Sequence, residues 1–327
     1  MAKTYNWGII GPGRIAHKFA QDLALIPNAR LHAVASRSLE RAQAFAEQYG
    51  AKNSYDNYAE IVDCPDLDVV YVASPHTGHC EHSLLCLEKG IPVLCEKPFA
   101  LNSREVQKMV HSARNHQVFL MEAIWTRFLP ATIKMLEIIK DGLIGEILSV
   151  KADFGFKANF DPQSRLFNPA LGGGALLDIG IYPCFLANLL LGTPTDIKAM
   201  AHLGQTGVDE ETGILLYYPG NRMAHLHASL LATTKSEAFI YGEKGTIHLH
   251  TRWHEATSLS LIQDGARPQD YYFDFESNGY RFEAEEVMHC LAEGKTESEL
   301  LPLDFSIQLI KLLGDIREEI GLKYPMD

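Results

Sequence analysis

The sequence predicts an α/β protein: an N-terminal domain with a doubly wound parallel sheet, then an α+β domain with a large, mostly antiparallel open sheet. Three observations predict it. Up to about residue 123, short apolar segments alternate with helical ones. A glycine-rich turn, Gly11–Ala16, separates the first apolar segment from the first helical one. After residue 145, strand-like segments follow one another with short turns between them. We therefore expect two domains, residues 1–123 and residues 124–327.

The elements of the first domain are short, continuous apolar strands and amphipathic helices. Such strands, separated by helices, are typical of a parallel sheet that is covered on both faces. The predicted strands are Trp7–Ile10, Leu31–Ser36, Val69–Ala73, Pro92–Cys95 and Val118–Met121, and the clearest helices are Ser38–Tyr49 and Ser103–Asn115.

The glycine turn has the form G-x-G-x-x-A and stands between a strand and a helix, which is the context of a Rossmann dinucleotide-binding fold. Gly11 permits the tight turn, and Gly13 leaves room for a pyrophosphate beside the backbone. Arg14 and Ile15 open the helix, and Ala16 is small enough for helix–strand packing. The helix N-terminus would present unpaired N–H groups to the phosphates. A plain tight turn in an α/β sheet is the alternative.

The second domain is predicted because the alternation of strands and helices stops after residue 145. A strand over 146–156 and a glycine-led helix over 172–191 precede a series of strands with short polar turns, which favours antiparallel pairing. The predicted strands are 195–204, 212–218, 222–231, 236–241, 245–250 and 257–262, and the closing helices are 281–293 and 304–320.

Composition excludes several classes of protein. The formal net charge of −12 argues against nonspecific nucleic-acid binding. No stretch is expected to reach the ~18–20 apolar residues of a membrane span, and no signal peptide is visible. The six cysteines are scattered without a C-x-x-C pair, so we expect buried thiols in a cytoplasmic protein.

The end of the second strand indicates which dinucleotide is bound. An NAD enzyme usually has an acidic residue there, whereas this chain has Ser36 and Arg37, with Arg41 one helical turn later. Serine and arginine suit a 2′-phosphate. The sequence therefore favours NADP, with NAD as the alternative.

The ends of the third and fourth strands carry further cofactor candidates. Glu96 and Lys97 leave a buried strand just before a proline, which directs Lys97 toward the nicotinamide; the alternative is a surface ion pair of the two. Ser74, His76 and His79 follow the third strand and are expected to line the cofactor pocket. A zinc site is the alternative there, but no carboxylate completes a ligand set, so no metal is predicted.

The second domain offers a base for an alcohol proton. Asp178 and Tyr182 are four residues apart and share a helix face. A nearby Lys97 ammonium would favour the phenolate of Tyr182. A surface hydrogen bond between Asp178 and Tyr182 is the alternative.

The predicted substrate wall consists of aromatic side chains with one polar anchor. Trp125, Phe154 and Phe156 would form the apolar part, and Arg127 would bind a polar group of the substrate. Core packing is the alternative for each of them.

These motifs together resemble one family. Gly11–Ala16, Glu96-Lys97-Pro98 and the Asp178-x-Gly-x-Tyr182 motif are similar to those of the glucose–fructose oxidoreductase / inositol dehydrogenase / MocA (Gfo/Idh/MocA) family, over the whole chain. Tyrosine at 182 is typical of a branch acting on aldoses such as D-xylose or on cyclic trans-dihydrodiols. The resemblance implies that Lys97 and Tyr182 are catalytic, that Asp178 organises them, and that the C-terminal sheet forms a homodimer.

We therefore expect an NADP-dependent oxidoreductase that exchanges a hydride between nicotinamide and a small sugar or diol. An inositol or polyol dehydrogenase or a sugar reductase is the alternative enzyme. A non-catalytic dinucleotide sensor on the same fold is the alternative of another class, but a sensor has no use for Lys97 and Tyr182.

Overall fold

The computed structural model describes residues 3–327 and has the predicted α/β architecture. It divides into two compact units. Unit 1 comprises the N-terminal residues through Phe128 together with Phe275–Ile307. Unit 2 comprises Leu129–Asp274 and Gln308–Asp327. The grouping therefore differs from the single boundary at residue 123 that the sequence suggested.

Hydrogen bonds explain why the segment Phe275–Ile307 belongs to unit 1. The backbone N–H groups of Asn278 and Arg281 donate to the buried carboxylate of Asp22, at 2.8 and 3.2 Å. The backbone N–H of Leu120 donates to the carbonyl of Thr296 at 3.1 Å. Helical periodicity shows that a segment has an apolar face, but it does not show which core covers that face.

Unit 1 contains a six-stranded, fully parallel sheet in the order β3-β2-β1-β4-β5-β6. This order reverses direction between β1 and β4, where the ligand crevice of such sheets lies. Strand β3 is short and half-buried, so it lacks the apolar run that would have predicted it. The strands are β1 Tyr5–Ile10, β2 Ala29–Ala35, β3 Asn53–Tyr55, β4 Val69–Val72, β5 Val93–Glu96 and β6 Leu120–Ala123; the helices are α1 Arg14–Leu23, α2 Leu39–Tyr49, α3 His79–Leu87 and α4 Ser103–His116.

Unit 2 is built on an eight-stranded sheet in the order β14-β13-β12-β11-β7-β10-β9-β8. Neighbouring strands are antiparallel except β7 and β10, which confirms the mostly antiparallel prediction. The strands are β7 Ile147–Gly155, β8 Asp196–Leu203, β9 Asp209–Tyr218, β10 Arg222–Ser229, β11 Ala238–Gly242, β12 Gly245–Leu249, β13 Ser258–Gln263 and β14 Gln269–Tyr272. The helices are α5 Pro130–Lys140 and α6 Ile181–Leu191; in chain order α7 (Arg281–Ala292) then belongs to unit 1, and α8 (Leu303–Glu319) contributes residues to both units.

One face of this sheet is packed and the other is open. In β9, Ile214, Leu216 and Tyr218 are buried, whereas the alternate side chains Leu215 and Tyr217 are exposed. Helix α6 packs against β7 and β10, so it covers the buried face. The alternation follows from the twofold repeat of a strand whose two faces meet different surroundings.

The glycine-led helix of the sequence prediction begins later than expected. Gly172 and Gly174 have φ of +71° and +123°, which no helix accommodates. A π-helical turn, Leu176–Gly180, comes first, and α6 follows it.

The same region corrects our expectation about membrane-length segments. Pro169–Leu191 is long and apolar enough to cross a membrane by length and composition, but 89% of its most apolar window is buried inside the protein. Burial of that extent is typical of a core helix.

All six cysteines are buried and none forms a disulfide, as expected for small core side chains.

Candidate active site

The glycine turn of unit 1 has the geometry that its sequence predicts. Gly11 has φ +87°, and a Cβ there would lie 2.8 Å from the backbone nitrogen of Ser74 and 2.9 Å from the carbonyl oxygen of Ala73. Gly11 is therefore required both by its conformation and by the close approach of the chain after β4.

The start of α1 is open to a ligand. Gly13 is the N-cap of α1 and has no side-chain acceptor, so the first N–H groups of the helix donate no hydrogen bond to a capping side chain. A Cβ at Gly13 would have only the carbonyl oxygen of Gly11 within 4.0 Å. Ala16 is fully buried, Ile15 is half-buried and Arg14 is exposed. These residues fit a dinucleotide pyrophosphate, because an open helix N-terminus attracts anions.

Two exposed arginines follow the end of β2. Ser36 is buried, and its hydroxyl accepts a hydrogen bond from the N–H of Ser38 at 3.4 Å. Arg37 and Arg41 are exposed. Burial lowers the pKa of His82, and the positive charge of Arg37 acts in the same direction. The residues between β2 and α2 therefore supply positive charge and no carboxylate.

The histidines after β4 serve the packing of unit 1 in ways that the sequence did not predict. His79 is fully buried, and its two ring nitrogens lie 2.8 Å from the carbonyl oxygens of Pro98 and Ser74. Burial lowers the pKa of His79 to about 4, although both carbonyls oppose that shift. A neutral ring donates to only one of the two carbonyls. His82 contacts the hydroxyl of Ser74 at 2.8 Å, and His76 is half-buried with its ring 5.7 Å from that of His79.

Two hydrogen bonds fix the carboxylate of Glu96 at the end of β5, next to Lys97 in the chain. Glu96 is buried and accepts a hydrogen bond from the hydroxyl of Tyr71. The other oxygen of Glu96 accepts from the backbone N–H of Lys97 at 3.2 Å, while the Lys97 side chain is half-buried. Burial, together with the nearby carboxylate of Glu96, raises the pKa of Tyr71. Glu96 is therefore a buried carboxylate that supports the end of β5.

Glu122 is a buried acid that the sequence analysis missed. It lies in β6, accepts a hydrogen bond from the N–H of Phe99 at 2.9 Å, and has a pKa raised to about 7 by burial. It therefore ties the chain after Lys97 to the neighbouring strand. A single carboxylate inside the apolar run Leu120–Ala123 was the available signal.

The two substrate candidates in unit 1 are buried. Trp125 stacks on Tyr280 with ring centroids 4.5 Å apart, and Arg127 donates from Nε to the carbonyl of Leu300 at 2.8 Å. Burial lowers the pKa of Arg127. These contacts favour the packing alternative for Arg127, which helps to hold Leu300 against the rest of unit 1.

In unit 2, the glycine run before α6 is required by the protein's own packing. A Cβ at Gly173 would lie 2.8 Å from the carbonyl oxygen of Leu166, and one at Gly174 would overlap the carboxylate of Asp209. Asp209 accepts hydrogen bonds from the N–H of Leu176 and the hydroxyl of Thr212, each at 2.7 Å. The glycines therefore seat the turn that carries Asp178.

Asp178 is buried and held by an arginine that sequence reasoning missed. Arg165 Nη1 lies 2.5 Å from one oxygen of Asp178, and Nη2 lies 3.4 Å from the other. Asp178 is on the π-helical turn, and Tyr182 follows on α6. The side chain of Arg165 remains more than half exposed, so one face of the pair is open to solvent. Its place in the long segment after β7 gave no periodic or motif signal.

The rings of Phe154 and His254 pack beside that of Tyr182 in unit 2. The ring of Phe154 lies 5.7 Å from that of Tyr182, and the ring of His254 lies 5.3 Å from it. Phe156 continues the aromatic surface at 6.3 Å from Phe154. Phe154, Asp178 and Tyr182 thus lie in unit 2, whereas Lys97, Trp125 and Arg127 lie in unit 1.

Two family domains match successive parts of this chain. Residues 5–124 match the oxidoreductase family with an NAD-binding Rossmann fold, and residues 132–248 match the GFO/IDH/MocA C-terminal domain. Curated trans-1,2-dihydrobenzene-1,2-diol dehydrogenases are similar over their full length. The mouse protein is 36% identical and the human protein 35% identical, each with 98% of both chains covered.

Solved structures show the same fold. A levoglucosan dehydrogenase in complex with NADH and L-sorbose has a TM-score of 0.90 at 22% identity, covering 98% of this chain and 97% of the other. An aldose–aldose oxidoreductase from Caulobacter crescentus has a TM-score of 0.89 at 24% identity, covering 98% of each chain. The two family domains and the full-length relatives lead to one conclusion: the chain belongs to the Gfo/Idh/MocA family of oxidoreductases.

Proposed function

We propose that this protein is an NADP-dependent dehydrogenase that oxidises a hydroxyl carbon of a cyclic diol or of an aldose such as D-xylose. The main support for this proposal is the similarity of the chain to known dehydrogenases. The chain is 34–37% identical to trans-dihydrobenzenediol dehydrogenases over 98% of its length, and it holds both Lys97 and Tyr182. The exposed apolar face of the unit 2 sheet supports a homodimer as its working form.

Each proposed residue has a separate chemical task. Bound NADP+ supplies the hydride acceptor at its nicotinamide ring. Gly13 and the N-terminus of α1 hold the pyrophosphate. Tyr182 accepts the proton of the substrate hydroxyl, and the Lys97 ammonium favours the phenolate form that accepts it. Asp178, held by Arg165, offers a buried carboxylate oxygen to a second substrate hydroxyl.

The choice of NADP depends on the positive charge after β2. Arg37 and Arg41 are exposed and suit a 2′-phosphate, while no carboxylate among residues 36–38 is available to hold a 2′-hydroxyl. The alternative cofactor is NAD.

The proposed catalytic pair is tested by single and double substitutions. Tyr182→Phe removes one oxygen and should lower kcat by about 10²–10⁴, the usual value of a general base. Lys97→Met should have a similar effect, and the double variant should be little worse than either, because groups that act together are not additive. NADPH binding, measured by fluorescence titration, should be unchanged in Tyr182→Phe.

Tyr272→Phe is the matched control, because Tyr272 is exposed on β14. It should keep wild-type kcat. If Tyr182→Phe retains more than about a third of wild-type kcat, Tyr182 is not the base. If the wild-type protein binds NADPH but turns over no aldose, polyol or dihydrodiol in a broad panel, the dinucleotide-sensor alternative takes its place.

Cofactor preference is tested at Arg37. The wild-type protein should prefer NADP+ to NAD+ by at least ~10-fold in kcat/KM, which corresponds to ~1.4 kcal/mol. Arg37→Ala should remove most of this preference, whereas Arg104→Ala, a change at an exposed arginine of α4, should leave it intact. A wild-type preference for NAD+ would contradict the assignment.

A further inference from the structure

The β4–α3 loop, Ser74–Gly78, lies at the carboxyl end of β4, where the strand order of the unit 1 sheet reverses. Sheets of this order bind dinucleotides in the crevice at that point. A Cβ at Gly11 would lie 2.8 Å from the backbone nitrogen of Ser74, so the loop adjoins the glycine turn directly. The position of Ser74 therefore helps to set the shape of the crevice.

A histidine of α3 reaches back to this loop. His82 Nδ1 lies 2.8 Å from the hydroxyl oxygen of Ser74, and both residues are buried. The ring of Tyr58 meets that of His82 edge-on, with the centroids 4.5 Å apart. The imidazole thus contacts both the β4–α3 loop and the 3₁₀ helix Tyr58–Asp63, which fixes its place in unit 1.

The glycine at the end of the loop makes room for this imidazole. Gly78 has φ −100° and ψ −8°, a conformation that residues with a side chain also adopt. A Cβ there would lie 2.6 Å from Cε1 and 2.9 Å from Nδ1 of His82. Glycine at position 78 is therefore required by the His82 ring and not by the backbone.

Two histidines hold Ser74 by different atoms. His79 Nε2 lies 2.8 Å from the carbonyl oxygen of Ser74, whereas His82 contacts the hydroxyl. Burial lowers the pKa of His82, so its ring is neutral at pH 7. A neutral imidazole has one donor and one acceptor nitrogen, and a hydroxyl can be either, so this hydrogen bond forms in both tautomers. The contact therefore orients Ser74 without adding charge to the crevice.

We propose that His82 is a positioning residue for the dinucleotide site, which holds the β4–α3 loop against the glycine turn through the hydroxyl of Ser74. This inference rests on the proposed function in one respect, that a dinucleotide occupies the crevice beside Gly11. Without His82, the buried hydroxyl loses this hydrogen bond and the loop is less well fixed. Binding then has to order the loop, which weakens affinity for the dinucleotide.

The test is the Kd for NADPH, measured by fluorescence titration. His82→Phe and Ser74→Ala should each raise it about fivefold, the usual value of one neutral hydrogen bond. The double variant should be no weaker than either, because His82 acts through the Ser74 hydroxyl. His82→Gln keeps a hydrogen-bonding side chain and should stay within about twofold of the wild type. His116→Phe is the matched control, because His116 is exposed and contacts a serine within α4.

Gly78→Ala tests the same contact without removing either polar group. The new methyl should displace the His82 ring from Ser74 and raise the Kd for NADPH by a similar factor. Gly314→Ala is the control, since Gly314 lies within α8 and a Cβ there meets nothing within 4 Å. It should bind NADPH as the wild type does.

The two proposals fail in different ways. If the wild-type protein binds neither NADPH nor NADH, the proposed function fails and the role of His82 fails with it. If the wild type binds NADPH and His82→Phe binds it equally well, only the inference about His82 is overturned, even where the variant has a lower Tm. A double variant about 25-fold weaker than the wild type would show that the two side chains act independently, and would also overturn it. If His82→Phe does not fold, Gly78→Ala decides: a wild-type Kd in that variant overturns the inference.

Discussion

Replacement of Gly174 by alanine should destabilise unit 2 far more than an ordinary glycine substitution. Gly174 has φ +123°, a conformation that costs a residue with a Cβ about 1–3 kcal/mol. The new methyl would lie within 3.0 Å of the Asp209 carboxylate, so that carboxylate must move. Its hydrogen bonds to Leu176 and Thr212, each 2.7 Å long, would weaken at a further cost of about 1–3 kcal/mol. The expected total is about 4 kcal/mol.

The matched control is Gly142→Ala. Gly142 also belongs to unit 2 and has φ +69°, but a Cβ there meets nothing within 4 Å. Only the left-handed conformation is then penalised, at about 1–2 kcal/mol. Urea unfolding followed by circular dichroism measures both variants. Because Leu176 opens the turn that carries Asp178, Gly174→Ala should also lower kcat while NADPH binding is retained. A loss of stability no larger than that of Gly142→Ala would show that the Asp209 carboxylate does not limit the side chain at position 174.

Two further predictions concern a buried acid and the open sheet. Burial raises the pKa of Glu122 from 4.5 to about 7. As pH rises, the unfolded chain therefore loses this proton before the folded protein does. The free energy of unfolding is highest below pH 4.5 and declines up to about pH 7. In urea unfolding, the free energy of unfolding of Glu122→Gln should therefore increase by about 3 kcal/mol relative to that of the wild type between pH 4.5 and pH 8. An equal pH dependence of the two proteins would disprove this prediction. Exposed apolar side chains on the open sheet, including Leu215 and Met200, should be covered by a second copy of the chain, so light scattering should find a dimer at micromolar concentration. Leu215→Glu should give a monomer, whereas Leu25→Glu, at an exposed leucine of unit 1, should remain a dimer. A monomeric wild-type protein would contradict this prediction.

Local sequence patterns were sufficient for the fold class and for most strands. The central strands of unit 1 are apolar along their whole length because both faces of a parallel sheet are covered. Two short strands escaped prediction, β3 and β14, because Asn53–Tyr55 and Gln269–Tyr272 carry no apolar run. Backbone pairing at the edge of a sheet requires little of the side chains, so the sequence records it weakly.

The conformation of the glycine turn could be predicted from its six residues alone. Gly11, Gly13 and Ala16 have short-range requirements, namely a positive φ, an open helix start and a small side chain. Each requirement involves neighbours in the chain or the next strand of a standard unit, so a motif of six residues records it.

The surroundings of Asp178 and Tyr182 depend on long-range packing, which the sequence patterns did not predict. Arg165 is thirteen residues before Asp178 in an irregular segment, and His254 is more than seventy residues after Tyr182 on a separate turn. Which side chain fills the space beside a given helix depends on sheet register and on the path of loops, and neither is encoded in local periodicity. The sequence therefore determined the residue types that carry the chemistry, whereas the fold determined that Arg165 holds Asp178 and that His254 lies against Tyr182, because those contacts join segments that only long-range packing brings together.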